Sequence, residues 1–103
     1  MLEIAMACRH ADVPAGVKRS ATAKLTRLER FLEGLERAEV RFSEEHNPRI
    51  HDREVCEVTL EGRGQIVRAR ARDQDMMTAV DRVVEKLETS LVRRKERLVG
   101  RAH

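Results

Sequence analysis

Tryptophan and tyrosine are absent from this chain, and phenylalanine occurs only twice, at Phe31 and Phe42. A sheet that binds single-stranded nucleic acid by stacking bases needs exposed aromatic rings. That class is disfavoured, because Phe31 reads as a helix-edge residue and Phe42 as core. No apolar run is long enough to span a membrane. No signal peptide opens the chain, which enters a mixed polar stretch at once. Cysteine is limited to Cys8 and Cys56, far apart in sequence, and both are read as inward-facing, reduced and chemically silent. Two free thiols with no secretory signal fit a reducing cytosol, so a cytoplasmic protein is expected. The four histidines, His10, His46, His51 and His103, have no metal-ligand spacing with those thiols, and no metal is expected. No nucleophile elbow, phosphate loop or glycine-rich dinucleotide motif occurs. Neither an enzyme, a cofactor nor a small-molecule substrate is indicated.

What the chain does have is charge. Of its 103 residues, 38% are charged, yet the net charge is only +3. The 21 cations are 17 Arg and only 4 Lys. Arginine forms forked hydrogen bonds to phosphate and gives up water more readily than lysine. A GC-rich genome would produce the same bias. The excess is also local, since Arg93, Arg94, Lys95, Arg97 and Arg101 crowd the last fourteen residues against the single acid Glu96.

The length argues for one domain spanning residues 1–103, large enough to fold without a staple. Leu2 to Arg9 alternates in polarity and reads as a half-buried strand with Leu2, Ile4, Met6 and Cys8 inward. Asp12 is a candidate cap, and Pro14 suits a first helical turn. Val13, Val17, Ala21, Leu25, Leu28, Leu32 and Leu35 then recur every three or four residues. They predict a helix from about Pro14 to Glu33, stopped by Gly34. Arg37 to Glu45 alternates again, with Ala38, Val40 and Phe42 inward. His46 to Asp52 is a loop marked by Asn47-Pro48. Arg53 to Glu61 and Gln65 to Arg72 are two more strands around the turn Gly62-Arg63-Gly64. Asp73 or Asp75 caps a second helix that runs to Leu98, and Gly100 marks its end.

The order β-α-β-β-β-α predicts an α/β two-layer sandwich, a four-stranded sheet with two helices on one face. The first helix makes a parallel crossover between strands one and two. Short turns make the rest an antiparallel meander. The other sheet face meets water, which agrees with strands that alternate instead of running continuously apolar.

The second helix sorts its surface into three faces. At ~100° per residue, Met76, Val80, Val83, Leu87, Leu91 and Leu98 share one side. Arg82, Lys86, Arg93 and Arg97 form a stripe within roughly 80° of one another. Asp81, Glu85, Glu88 and Glu96 occupy the opposite flank. On the first helix Arg19, Arg27 and Arg30 share a polar stripe, with Lys24 at its apolar edge. Two helices side by side would bring basic flanks together in a groove suited to a phosphate backbone. A plain solubilising surface is the competing reading. On the open sheet face, Arg68, Arg70 and Arg72 meet Glu57 and Glu61 of the third strand and Arg41 and Glu39 of the second, and cross-strand ion pairs are expected there in preference to an RNA surface.

These residues also form a known pattern. Arg9-His10, Lys24-Leu25 with Arg27-Leu28-Glu29-Arg30-Phe31, Asn47-Pro48-Arg49-Ile50 and Val67-Arg68-Ala69 occur in order along the chain. So do Asp75-Met76, Ala79-Val80-Asp81, Lys86-Leu87 and Arg93-x-Lys95-x-Arg97. Together they resemble the ribosome hibernation-promoting factors, also called ribosome-associated inhibitors or sigma-54 modulation proteins. The resemblance implies a bacterial, stress-related protein that binds the small ribosomal subunit near the decoding centre and occludes the mRNA and tRNA sites. It implies contacts to rRNA from Lys24, Arg27, Lys86, Arg93, Lys95 and Arg97, beside Arg30 and Arg82 from the helix stripes. Two departures stand out. Met77 replaces the family's usual Tyr, and Cys8 replaces a common Gly. The Asn47–Ile50 loop is more like the long members, whose C-terminal dimerisation domain lies outside these residues. The sequence leaves self-association open, and equally the choice between a short form and part of a longer one. The rival expectations are a generic double-stranded-RNA-binding module and a protein-interaction modulator of transcription.

Overall fold

The computed structural model describes residues 2–9, 12–31 and 33–101, with side chains described through residue 94. Four strands, β1 (Glu3–Arg9), β2 (Arg37–Glu44), β3 (Glu54–Gly62) and β4 (Gln65–Asp73), form one sheet in the order β1-β2-β3-β4. β1 runs parallel to β2, and β2, β3 and β4 are antiparallel. Helix α1 (Ala15–Arg27) forms the crossover, and helix α2 (Met76–Arg101) follows β4. The β-α-β-β-β-α sandwich expected from the sequence is the one observed.

The alternation sets the layers. Ala38, Val40 and Phe42 on β2 stand in register with Leu60, Val58 and Cys56 on β3. All six are at most 1% exposed. They meet Val17, Ala21, Leu25 and Leu28 from one helical segment and Val80, Val83, Leu87 and Leu91 from the other in a single core. Each Val, Leu or Phe side chain among them contributes ~1.5–3 kcal/mol on burial, so this layer carries the fold. Leu32 and Leu98, expected on the same stripes, lie outside the described residues and side chains.

The helix ends differ from expectation in three places. Asp75 does cap α2, accepting from the Thr78 amide at 3.1 Å and the Thr78 hydroxyl at 3.0 Å. Asp12 does not cap α1, whose N-cap is Pro14 with no side-chain bond. Proline already fixes the entry angle, and the missing N–H removes one orphan donor. The α-helical part of α1 ends at Arg27 and tightens into a 3-10 turn over Leu28–Arg30. The Phe31 amide donates to the Leu28 carbonyl at 3.0 Å, and Gly34 turns the chain at φ 94°. At the far end α2 continues through Gly100 to Arg101. A single glycine costs a helix only ~1 kcal/mol, too little to force a stop.

The cysteines separate. Cys56 is 1% exposed, and burial pushes its thiol pKa up to about 12. Cys8, expected inside, is exposed. Its phase is correct, since it is in register with the buried Phe42. But β1 is an edge strand, and burial fades along it from Leu2 through half-buried Ile4 and Met6 to exposed Cys8. A thiol-specific disulfide reagent at pH 8 should therefore modify one cysteine per native chain and two after unfolding. Cys8→Ser should abolish the native reaction. Rapid reaction of the Cys8→Ser protein would mean that Cys56 is not sealed in the core.

Candidate nucleic-acid interface

The apolar side of α2 rests on β3 and β4, and this fixes where its two charged flanks point. One flank faces α1. The other overlooks β4, the edge strand opposite β1. On the α1 side, Lys24, Arg27 and Arg30 share a groove of about 420 Å³ with Asp81, Glu85 and Glu88. Lys24 and Asp81 form an ion pair across it. Arg30 sits over the Phe31 ring, 5.5 Å from its centroid. Of the α2 cations whose side chains are described, Arg82 alone lines this groove. The two basic stripes therefore meet only in part, through Arg82 in this groove and through Arg93, which borders the Phe31 ring that carries Arg30. The acidic flank of α2 lies between them, because the apolar face, once seated on the sheet, turns that flank toward α1.

The basic stripe meets different cations. Arg82, Lys86 and Arg93 share a second groove, of about 960 Å³, with Arg68, Arg70 and Arg72 of β4. Glu85 and Glu88 also line it, leaving a clear positive excess. Some of these cations are engaged. Arg82 is 3.2 Å from Asp73, and Arg72 is 3.4 Å from Glu45. Lys86 Nζ donates to the Arg70 carbonyl at 2.7 Å. Arg94 donates to the Gln65 side chain at 2.8 Å and to the Ile66 carbonyl at 3.1 Å. Outward carbonyls on an edge strand invite another strand, and these two are already occupied by α2. In an antiparallel pair, amide and carbonyl of one residue point the same way, so the Arg70 amide also faces outward.

Arg68, Arg70 and Arg93 have no ion pair and no side-chain hydrogen bond with another described residue. Arg68 and Arg70 therefore depart from the expected cross-strand pairing, whereas Arg72 follows it by pairing with Glu45. Glu57 stands in register between Arg41 and Arg70 and is ion-paired with neither. The pairs that do form near this face are Arg41–Glu39 at 3.8 Å, along one strand, and Arg72–Glu45. Exposed pairs gain little in water and cost side-chain entropy. Edge-strand arginines are also free to reach around toward α2. The signal was present in the sequence as three alternating Arg on the strand just before a helix with a basic stripe. Lys95 and Arg97 belong to the last turns of α2, and their side chains lie outside those described.

The acidic pole is elsewhere. Glu54 stands in register with Glu44 and Asp73, and burial first, then Glu44 and Asp75, raises its carboxyl pKa. Among the described residues no group of His, Cys, Asp or Glu could hold a metal ion, and no helix is long and apolar enough to cross a membrane. The arrangement can bind a polyanion. Guanidinium forks and the Lys86 ammonium line an open groove.

A model of the sigma 54 modulation protein / S30EA ribosomal protein family matches residues 4–99. A ribosome hibernation promotion factor of Mycobacterium tuberculosis is 35% identical over 98 residues, which is 92% of this chain and 44% of that protein. The chain thus spans less than half the length of this relative. Among solved structures, a ribosomal subunit interface protein from Coxiella burnetii shares the fold at a TM-score of 0.80, with 22% identity over 93% of this chain and 99% of that one. The N-terminal domain of protein Y from Thermus thermophilus has a TM-score of 0.70 and 27% identity, covering 89% of this chain and 96% of that one.

Proposed function

This chain belongs to the sigma 54 modulation protein / S30EA ribosomal protein family, and on that footing we propose that it is a cytoplasmic ribosome hibernation factor that binds the small subunit. It acts without catalysis and without a cofactor. It sits near the decoding centre and silences translation by filling the space that mRNA and tRNA anticodon ends need. The observation that carries this reading is the α2–β4 groove, where Arg68, Arg70 and Arg93 have no ion-pair partner among the described residues. Unpaired cations beside one another repel, and a bound polyanion relieves that repulsion. Phosphate contacts position the protein on folded rRNA, and the shape of that RNA supplies specificity without base reading. Lys24, Arg27 and Arg30 form a second contact line along α1, and Lys95 and Arg97 add contacts from the last turns of α2.

Co-sedimentation with purified small and large subunits is the direct test. Association with the small subunit alone is the expected result. Equal binding to a plain RNA duplex would mean a generic double-stranded-RNA module. A partner that survives RNase in a pull-down would mean a protein-interaction role instead.

Binding should also depend steeply on salt. Neutralising Z phosphates gives a log–log slope of roughly −0.7Z to −0.9Z. With about four to six contacts, affinity should fall more than tenfold between 50 and 200 mM salt. A flat response, measured by titration at four or five salt concentrations, would remove the basic groove from the interface.

A further inference from the structure

On the sheet face turned away from the helices, arginines from three strands line one hollow of about 400 Å³. Arg9 ends β1, Arg41 lies in β2 and Arg70 in β4. Ala7, Val55 and the Ser43 side chain line it too. Val55 is 3% exposed although its phase directs it to this open face and it stands apart from the helix-side core. The Arg72–Glu45 pair lies at this end of the sheet, Arg72 being the register partner of Val55. The hollow therefore has a sheltered apolar wall, and charges beside such a wall act more strongly than in open water. Arg9 and Arg70 have no ion-pair partner among the described residues, and Arg41 is 3.8 Å from Glu39.

We propose that this hollow is a second phosphate site for an RNA backbone, on the opposite side of β4 from the α2 groove. Arg70 lines both places, so a bound RNA is gripped around the edge strand and not on one side of it alone. The ligand is a phosphodiester, not a base. Phe42 is the aromatic residue that borders the hollow, but it is 0% exposed and packed in the helix-side core, so it offers a base no ring to stack on, whereas guanidinium forks match phosphate oxygens in pairs. Two carboxylates also line the hollow and oppose the anion, Glu39 beside Arg41 and Glu57 between Arg41 and Arg70. The proposal rests on the reading of the chain as a ribosome-binding protein, but its test separates the two.

The test compares wild type, Arg9→Ala/Arg41→Ala, Arg41→Lys and Glu57→Gln. Each is titrated against purified small subunits and against a short single-stranded oligoribonucleotide. Thermal melts check that every variant is folded. Both replaced arginines are exposed, so the melts should be unchanged within a few degrees. The double variant should lose about tenfold or more in affinity for both ligands, and its salt slope should shrink by about one to two units. Arg41→Lys should retain part of the binding, and Glu57→Gln should tighten it several-fold. An unchanged affinity and slope for the double variant, with Glu57→Gln equally silent, overturns the second site. If the wild type then binds subunits, the functional reading stands without it. If wild type ignores subunits but binds the oligonucleotide through Arg9 and Arg41, the site stands and the ribosomal reading falls. A wild type that binds neither overturns both.

Discussion

Reversing Arg68 and Arg93 together to Glu is expected to weaken binding to small ribosomal subunits at least a hundredfold while leaving the fold intact. The two residues approach the α2–β4 groove from opposite sides, one on the strand and one on the helix. Both are exposed, and neither is ion-paired with a described residue. Surface changes of that kind usually cost within about half a kcal/mol each in stability. Each lost phosphate contact removes a charge-assisted hydrogen bond worth ~1.5–3 kcal/mol, and a new carboxylate adds repulsion. Two losses reach a hundredfold because about 1.4 kcal/mol is tenfold in affinity. Lys86 is a poorer choice for this test, since its ammonium also ties α2 to the Arg70 carbonyl of the edge strand. The matched control changes Glu85 and Glu88 to Lys, which should leave binding equal or tighter. Loss of binding in the control with retention in the double reversal would place the interface on the α1 side.

That choice of residues shows what the sequence could and could not say. Alternation along β2, β3 and β4 and the three-four spacing along both helices report which side of an element is dry. They therefore gave the layers, the strand order and the apolar faces correctly. They do not report what lies beside an element once it is packed. The charge stripes of α2 were legible, but not that Asp81 and Glu85 would face Lys24 and Arg27. Nor was it legible that Arg82 and Lys86 would face Arg68 and Arg70. The same gap explains Cys8, whose phase was right but whose cover is missing at the end of an edge strand. It explains Arg68 and Arg70 as well. Pairing them with acids in register assumed that neighbours on a sheet face must bond, and flexible arginines at an edge are not so constrained. Helix termini fail for a different reason. Asp12 and Gly100 carry weak local preferences of ~1 kcal/mol, which packing overrides.

Gly62→Ala should cost the fold at least ~3 kcal/mol, at the upper end of what overpacking costs. Gly62 closes β3 just before a two-residue turn. In that turn Arg63 has φ 52° and Gly64 φ 74°, the mirror-image turn that matches the twist of a hairpin. Nothing about the φ of Gly62 forbids a side chain. The obstacle is space, because an added Cβ would collide with the Gly34 carbonyl oxygen and stand 2.8 Å from Leu35 Cα. Both neighbours are backbone, so no side chain can swing aside. The contact is also held shut, since the Glu36 amide donates to the Glu61 carbonyl at 2.9 Å one residue away. Relief requires moving the hairpin off the segment that leads into β2, which disturbs β2–β3 pairing beside buried Leu60 and Ala38. At ~4–8 °C per kcal/mol for a domain of this size, the melting temperature should fall by roughly 12 °C or more. Gly16→Ala makes the comparison informative. Gly16 lies in the first turn of α1, and an added Cβ there meets only an Arg19 guanidinium nitrogen at 4.0 Å. Alanine is the better helix former, so this variant should gain up to ~0.5 kcal/mol and melt slightly higher. Calorimetry on the pair reads the sign of each change directly. A Gly62→Ala protein that melted within two degrees of wild type would mean that the β3–β4 hairpin is not seated on the Gly34–Leu35 backbone.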